Sequence, residues 1–234
     1  MATIRELHDF KVESKEAIQI QRDLVSKLRF TQLGQLPRLI AGVDSSFFTA
    51  DDKDYILTVI VVLSFPDLEY VEKKYLTNRV QFPYIPGLLT FREAPSFIKT
   101  WKRLHSEPEV VFFDGQGIAH PRRLGFASHM GLFLERPTIG VAKSRLYGQE
   151  DAIPEKTGEW FPLRDPDKEI IGGVLCTKPK TNPLYISPGH LITLEDSMRL
   201  VMSCVDGYKL PEPTRQAHEL TQKIKKEKIG VIDQ

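Results

Sequence analysis

The segment Val110-Val111-Phe112-Phe113-Asp114-Gly115 places the chain in the α/β class, because it is a short apolar run that ends at a carboxylate and a glycine. The run predicts a buried strand, the apolar pattern at 127–134 predicts a helix, and 138–142 predicts the next strand. A strand, a helix and a strand in this order predict a right-handed parallel crossover. Asp114 then lies at the carboxyl edge of a parallel strand, where the sites of α/β proteins cluster.

Upstream of this unit the sequence predicts three antiparallel strands. Residues 39–44 and 55–63 are rich in aliphatic and β-branched residues, and 68–76 is more polar. The break at Phe65-Pro66-Asp67 is short enough for a hairpin. We therefore predict a mixed sheet of three antiparallel strands followed by parallel strands. Flanking helices are predicted at 14–28, 87–105, 194–204 and 213–227.

Length and composition exclude several classes of protein. A chain of 234 residues suits one domain, predicted to span 1–234, and 41% hydrophobic with 27% charged residues is typical of globular proteins. No run approaches the roughly 18 apolar residues of a membrane span, and the N-terminus has no signal-peptide core. Cys176 and Cys204 lack zinc-site spacing. We expect a cytoplasmic monomer with no membrane partner. Residues 149–168, rich in Pro, Gly and charge, predict an insertion or a long loop, and further strands are predicted at 170–177 and 184–187.

Charge is balanced over the chain and unbalanced locally. The formal net charge is +1, which argues against a wholly basic nucleic-acid binder. Between residues 115 and 148, however, five basic residues face one acid, Glu135, which leaves +4 over that segment. A solvated face is the plain alternative, but the nearness of Asp114 favours a phosphate-binding rim. The basic residues of the segment are Arg122, Arg123, Arg136, Lys143 and Arg145, and the rim is assigned to Arg122, Arg123 and Arg145.

Several polar residues that could carry chemistry lie where the surrounding sequence is apolar or predicts a tight turn. Asp44 interrupts an apolar strand, where a carboxylate is costly unless it is paired or binds a metal. Glu93 lies on the helix between the two parts of the sheet, and His218 lies on the last helix. Each could alone be a turn, surface or core residue. Together with Asp114, the carboxylates are predicted to converge at one edge of the sheet and to suit Mg²⁺ or Mn²⁺.

The residues present exclude two other kinds of catalytic site. The loop 114–120 has Gly-x-Gly after a strand, but His120 occupies the third glycine position of a dinucleotide fingerprint. The segment 125–129 lacks the Gly-x-Ser-x-Gly elbow of serine hydrolases. Neither a dehydrogenase nor a serine hydrolase is therefore predicted.

The segment Pro83-Tyr84-Ile85-Pro86-Gly87 holds an aromatic and an aliphatic side chain between two prolines. One interpretation is a tucked loop whose Tyr84 packs on the core. The other is a rigid apolar tip, of the kind that inserts between stacked bases.

Taken together, these motifs resemble one family, endonuclease V, the deoxyinosine-directed repair nucleases. The matching blocks cover nearly the whole chain in order, and those at 82–93 and 113–125 are highly specific. The blocks are Ala41–Asp44, Phe82–Glu93, Phe113–Gly125, Ala127–Gly131, Pro137–Lys143 and Leu210–Arg215.

The resemblance implies a ribonuclease-H-like fold and a DNA-repair hydrolase. It implies Mg²⁺-dependent cleavage, with Mn²⁺ as a substitute, at the second phosphodiester bond 3′ to a deaminated adenine. The products would be 3′-hydroxyl and 5′-phosphate ends. By the same resemblance Asp44 and Asp114 are the metal ligands, and Glu93, Lys143 and His218 are further catalytic residues.

The resemblance also assigns the residues that would hold the nucleic acid. Tyr84, within Pro83, Ile85 and Pro86, is the wedge. The loops around the flipped base carry Gly87, Leu89, Gly115 and His120. The expected partner is DNA that contains deoxyinosine. Two alternatives stay open: an endoribonuclease that acts on inosine in single-stranded RNA, and a non-catalytic binder of inosine-containing nucleic acid.

Overall fold

The computed structural model describes residues 4–232, and the side chains of residues 4–227. Nine strands form one mixed sheet in the order β3-β2-β1-β4-β5-β9-β8-β7-β6, flanked by five helices. The elements in chain order are α1 (Ser14–Val25), β1 (Leu39–Ala50), β2 (Lys53–Ser64), β3 (Tyr70–Arg79), α2 (Leu89–Trp101), β4 (Val110–Phe113), α3 (Phe126–Leu134), β5 (Thr138–Ala142), β6 (Gln149–Glu150), β7 (Trp160–Arg164), β8 (Ile170–Leu175), β9 (Leu184–His190), α4 (Leu194–Ser203) and α5 (Glu212–Ile232).

The predicted order of antiparallel and then parallel strands is confirmed. β1, β2 and β3 are antiparallel neighbours, whereas β4 runs parallel to β1 and β5 runs parallel to β4. Beyond β5 the sheet becomes antiparallel again through β9, β8, β7 and β6. The parallel strands therefore lie in the middle of the sheet, between the three predicted antiparallel strands and a second antiparallel group.

The β1–β2 hairpin is longer than the apolar run at 39–44 predicted. Ala50 pairs with Lys53, so only Asp51 and Asp52 form the turn, and both have positive φ (48° and 55°). Two such residues match a type I′ turn, whose twist suits a hairpin. β1 therefore continues to Ala50, six residues past Asp44, and its second half lacks the continuous aliphatic run on which the prediction at 39–44 rested.

The long loop predicted over 149–168 is wrong in part. β6 and β7 lie in this segment, and they extend the sheet at its β8 edge. Pro162 stands in the middle of β7, opposite Gly173 of β8. A proline inside a short apolar run disfavours a strand interpretation, so the sequence pattern concealed β7.

The two faces of the sheet are both covered. Along β2, Val59 and Val61 belong to the core under α4 and α5, whereas Ile60 and Val62 belong to the core under α2 and α3. Successive strand residues point to opposite faces, so this alternation places the helices in two layers around a buried central sheet. Among the described residues, no helix has the length and apolarity that a bilayer span requires.

Candidate active site

The sheet brings Asp44 and Asp114 together. Val43 of β1 pairs with Phe113 of β4, and the amide nitrogen of Asp114 donates to the carbonyl of Val43 at 3.0 Å. β4 ends at this point while β1 continues. The two aspartates therefore follow paired residues on adjacent parallel strands, at the edge where β4 stops, and the predicted convergence of these carboxylates is confirmed.

The acidic cluster carries more negative charge than its surroundings stabilise. The pKa of Asp44 is raised to about 7, first by burial and then by the hydrogen bond and the charge of the nearby Asp114. Burial likewise raises the pKa of Glu93 to about 8, with the charges of Asp44 and Asp114 acting in the same direction. A cation among these three carboxylates would offset that charge, so the cluster is suited to a divalent metal ion.

Helix α5 adds a histidine and a hydroxyl to the cluster. His218 Nδ1 lies 3.3 Å from Asp44 Oδ2, and the Thr221 hydroxyl donates to the same oxygen at 2.5 Å. Burial and then the charge of Lys143 lower the pKa of His218, which favours the neutral imidazole that a metal binds. One potential ligand atom from each of Asp44, Asp114 and His218 lies within 4.8 Å of the other two.

Lys143 supplies a positive charge at the edge of the cluster. It follows β5 directly, and its Nζ lies 2.5 Å from Asp114 Oδ2 and 3.3 Å from His218 Nδ1. The ammonium faces the same space as the acidic groups. It is thus placed to contact an anion, such as a phosphate group, that approaches the cluster.

A cleft of about 360 Å³ adjoins the cluster. It is large enough for a small aromatic ligand, and its walls combine backbone, apolar and charged groups. Asp114 and Lys143 are part of its lining, so the cleft and the acidic cluster are continuous. The four residues predicted to surround a flipped base all line it, and they are Gly87, Leu89, Gly115 and His120.

The loop at 83–87 forms one wall of this cleft, and its backbone is fixed. The carbonyl of Gly87 accepts hydrogen bonds from Gln21 Nε2 at 3.0 Å, His120 Nε2 at 3.0 Å and Arg122 at 2.7 Å. Gly87 has φ +77°, a conformation that side chains other than glycine rarely adopt. Tyr84 is 70% exposed and does not pack on the core, so of the two interpretations only the projecting tip agrees with the structure.

The arginines predicted to form a phosphate rim contact other protein groups. Arg122 donates to Gly87 and Gln21, and Arg145 pairs with Glu150 at 2.6 Å. Arg123 pairs with Asp165 and Glu169. Of these, Arg145 also lines the cleft. Their contact with phosphate stays a prediction.

Two residues of the site were missed by sequence reasoning. Thr221 is three residues after His218 on α5, a spacing that places both side chains on one helix face. That spacing was the only signal. Gln21 is a fully buried amide on α1, and its contacts with Gly87 and Arg122 lie 66 and 101 residues away in sequence. Such distant contacts leave no local pattern.

Comparison with known proteins agrees with this geometry. The family model described as Endonuclease V matches residues 22–219. Endonuclease V of Kosmotoga olearia is 47% identical over 223 residues, which cover 95% of this chain and 97% of that protein. Endonuclease V of Thermosipho melanesiensis is 45% identical over 223 residues, covering 95% and 96%.

Solved structures give the same result at the level of the fold. The Endonuclease V structure from Bacillus subtilis has a TM-score of 0.92 at 29% identity, covering 97% of this chain and 99% of that one. The Ciona intestinalis Endonuclease V structure, in complex with a 24mer DNA containing an inosine followed by a ribo-adenosine, has a TM-score of 0.80 at 27% identity, covering 91% and 98%. This chain belongs to the endonuclease V family.

Proposed function

We propose that this protein is a Mg²⁺-dependent DNA-repair endonuclease that nicks a strand at the second phosphodiester bond 3′ to deoxyinosine, leaving 3′-hydroxyl and 5′-phosphate ends. The observation that carries the proposal is the continuity of two features. A carboxylate–histidine cluster suited to a metal ion opens into a cleft bounded by a rigid loop with an exposed tyrosine. The inosine-containing DNA in the Ciona complex supports the same substrate class.

The residues present suit a divalent cation. Asp44, Asp114 and His218 offer two hard carboxylate ligands and one imidazole, and Mn²⁺ would be accepted for the same reason. A bound Mg²⁺ supplies charge that activates water and offsets the negative charge on the leaving oxygen. The raised pKa of Asp44, caused first by burial and then by Asp114, is the imbalance that such an ion relieves.

Three further side chains have roles in phosphate binding, in positioning Asp44 and in cation binding. Lys143 Nζ, beside Asp114, binds a non-bridging oxygen of the scissile phosphate and stabilises the charge that develops there. Thr221 holds Asp44 in place through its hydroxyl. Glu93, a buried carboxyl whose pKa responds to the charges of both aspartates, adds negative charge that favours binding of the cation.

Base recognition follows from the cleft. Hypoxanthine pairs weakly with thymine, so it costs less to extrude than a normally paired base. Tyr84 fills the vacated place in the stack, and the extruded base enters the cleft between Gly87, Leu89, Gly115 and His120. Burial and the charge of Arg122 lower the pKa of His120 to about 4, so this ring stays neutral beside the base.

The proposal is tested with a duplex that carries one deoxyinosine and a label on either end. We expect Mg²⁺-dependent nicking at the second bond 3′ to the lesion, and a loss of about 10³-fold in rate for Asp114→Asn, since a metal ion contributes several kcal/mol to transition-state stabilisation. Asp67→Asn, at an exposed hairpin residue, is the matched control and should cleave like the wild type. Cleavage at another bond would contradict the proposed cleavage position. Wild-type turnover in Asp114→Asn would contradict the mechanism, and inosine binding without turnover would favour the non-catalytic alternative.

A second candidate is an endoribonuclease that acts on inosine in single-stranded RNA. The observation that favours it is the ribo-adenosine that directly follows the inosine in the Ciona complex. Competition among DNA, RNA and a DNA strand with one ribonucleotide after the inosine separates the two activities. A 2′-hydroxyl that raises the cleavage rate at this single position would favour the ribonuclease.

A further inference from the structure

A buried threonine interrupts an aliphatic row of the sheet close to the acidic cluster. Along β2, Ile60 and Val62 belong to the core under α2, and Thr58 lies in the same row because strand residues two apart share a face. Thr58 is fully buried. Burying a hydroxyl group costs free energy unless it is hydrogen-bonded. The partners of Thr58 therefore indicate why the row is interrupted at this point.

These partners join four elements of the fold. Thr58 Oγ1 lies 3.1 Å from Oγ of Ser45, the residue opposite it on β1. The Thr58 hydroxyl donates to Oγ of Ser96 on α2 at 2.9 Å, and Asn78 Nδ2 on β3 donates to the same oxygen at 2.9 Å. Lys99 Nζ donates to Asn78 Oδ1 at 3.5 Å, so the oxygen of this amide faces Lys99 and its nitrogen faces Ser96. Each hydroxyl in the row is thus held by its neighbours.

The hydroxyl row ends at the Glu93 carboxyl. Ser96 follows Glu93 by three residues on α2, a spacing that places both side chains on one helix face. Glu93 is buried. Burial and the charges of Asp44 and Asp114 raise its pKa, whereas a hydrogen bond from Ser45 lowers it. Ser45 therefore connects the hydroxyl row to the third carboxyl of the acidic cluster.

We infer that Ser45 and Thr58 are positioning residues that orient the Glu93 carboxylate toward the cation of the acidic cluster. This role rests on the proposed function, in which Glu93 favours binding of that cation. Ser45 makes the contact with the carboxylate. Thr58, fixed by Ser96, holds the Ser45 hydroxyl in the orientation that makes it. Groups that orient the residues around a metal ion typically change its affinity by about 10–100-fold.

The test measures cation binding in the absence of DNA. Mn²⁺ is titrated with the protein, and the free ion is followed by electron paramagnetic resonance. Thr58→Val, which removes the hydroxyl and keeps the branched shape, should raise the Mn²⁺ dissociation constant about ten-fold. The half-saturating Mg²⁺ concentration for inosine nicking should rise by a similar factor, and Thr58→Ser should restore both values. Thr77→Val on β3 is the matched control, because the buried Thr77 hydroxyl has no hydrogen-bond partner among the described residues, and it should change neither value.

A double-mutant cycle separates positioning from a structural role. In Glu93→Gln the carboxylate is absent, so adding Thr58→Val should change the Mn²⁺ dissociation constant by less than about two-fold. Ser45→Ala should weaken binding as much as Thr58→Val does, and the two together no more than either alone. A wild-type dissociation constant in Thr58→Val, or an undiminished effect of Thr58→Val in Glu93→Gln, would overturn the inference. A wild type that binds Mn²⁺ but does not nick inosine DNA would instead overturn the proposed function, and the Mn²⁺ comparison would still test Thr58.

Discussion

Gly42 of β1 faces the backbone of Pro213 at the start of α5 so closely that a Cβ at position 42 would lie 1.9 Å from the Pro213 carbonyl oxygen. No side chain can occupy that space without displacing the helix. Because α5 carries His218 and Thr221, both of which contact Asp44, this close approach sets the position of the histidine and the hydroxyl beside that aspartate.

Gly42→Ala is therefore expected to impair both activity and stability. The added methyl group forces α5 away from β1, and a displacement of about 1 Å at catalytic groups can cost about 10²-fold in rate. The strain itself should cost about 1–3 kcal/mol of unfolding free energy. Inosine nicking and urea unfolding measure the two effects. Gly34→Ala is the control, since a Cβ at Gly34 meets nothing within 4 Å, and it should leave both unchanged.

Thr221→Val is expected to weaken the response to Mg²⁺. The Thr221 hydroxyl is a hydrogen-bond donor to Asp44 that lowers the pKa of this carboxyl, against the larger opposing effects of burial and Asp114. A hydrogen bond to a charged group is worth about 1.5–3 kcal/mol. Its loss should raise the pKa of Asp44 further and increase the half-saturating Mg²⁺ concentration about ten-fold. Thr221→Ser, which keeps the hydroxyl, should restore the wild-type titration, and an unchanged Mg²⁺ response in Thr221→Val would remove this role.

Local patterns in the sequence were sufficient to predict the strands of the central sheet and to single out Asp44 and Asp114. A short apolar run that ends at Asp114 is visible without tertiary information, and so is a carboxylate within the apolar run at 39–44. Side-chain contacts between residues far apart in the sequence could not be predicted from local patterns. Thr221 contacts Asp44 across 177 residues, and Arg122 points toward Gly87 although its charge suggested a phosphate contact. Counting charges gives a sign for a segment but not the direction in which each side chain points.

Tyr84→Ala should reduce recognition of the lesion more than general DNA binding. The exposed ring of Tyr84 is held on the 83–87 loop, where the Gly87 carbonyl accepts three side-chain hydrogen bonds. Because the loop is already fixed, the ring can replace an extruded base in the stack at low entropic cost. Stacking contributes about 1–3 kcal/mol per base, which corresponds to a loss of at least five-fold in inosine affinity. Binding to matched inosine and undamaged duplexes measures the difference. Tyr70→Ala, at a residue that is 57% exposed on β3, is the control. Equal losses on both duplexes would contradict the wedge role.

Arg122 and Arg145 are expected to act differently although both were predicted to bind phosphate. Arg122→Met removes the hydrogen bonds to Gly87 and Gln21, so it should loosen the 83–87 loop and lower discrimination between inosine and adenine. Arg145 lines the cleft and pairs with Glu150. If Arg145 contacts phosphate, Arg145→Met should weaken binding to all sequences and reduce the salt slope by about one unit.

Salt titrations of binding to inosine and undamaged duplexes distinguish these outcomes. A reduced salt slope in Arg122→Met with intact discrimination would show that this residue binds phosphate after all. Because most arginines of the basic segment are engaged within the protein, we expect a modest total slope. A slope that corresponds to about ten released ions would contradict that expectation.

His190 makes the fold sensitive to acid. Burial lowers its pKa to about 4, with the charge of Arg29 acting in the same direction, and its Nδ1 accepts a hydrogen bond from the Arg29 amide at 3.2 Å. In the unfolded chain the pKa returns to about 6.5. Between these values the unfolded state binds more protons than the folded state, so stability falls as the pH falls from about 6.5 toward 4. From pH 7 to pH 5, His190 alone should cost about 1–2 kcal/mol of unfolding free energy.

Urea unfolding at pH 7 and pH 5 measures this loss. His190→Gln keeps an acceptor for the Arg29 amide but cannot take up a proton, so the difference between the two pH values should shrink by about the amount assigned to His190. His105→Gln, at an exposed histidine, should retain the wild-type difference. If His190→Gln lost as much stability as the wild type between the two pH values, the acid sensitivity would be assigned to other histidines whose pKa values are lowered in the folded protein. His120 and His129, whose pKa values are also lowered mainly by burial, would then be substituted first, because both are buried in the fold.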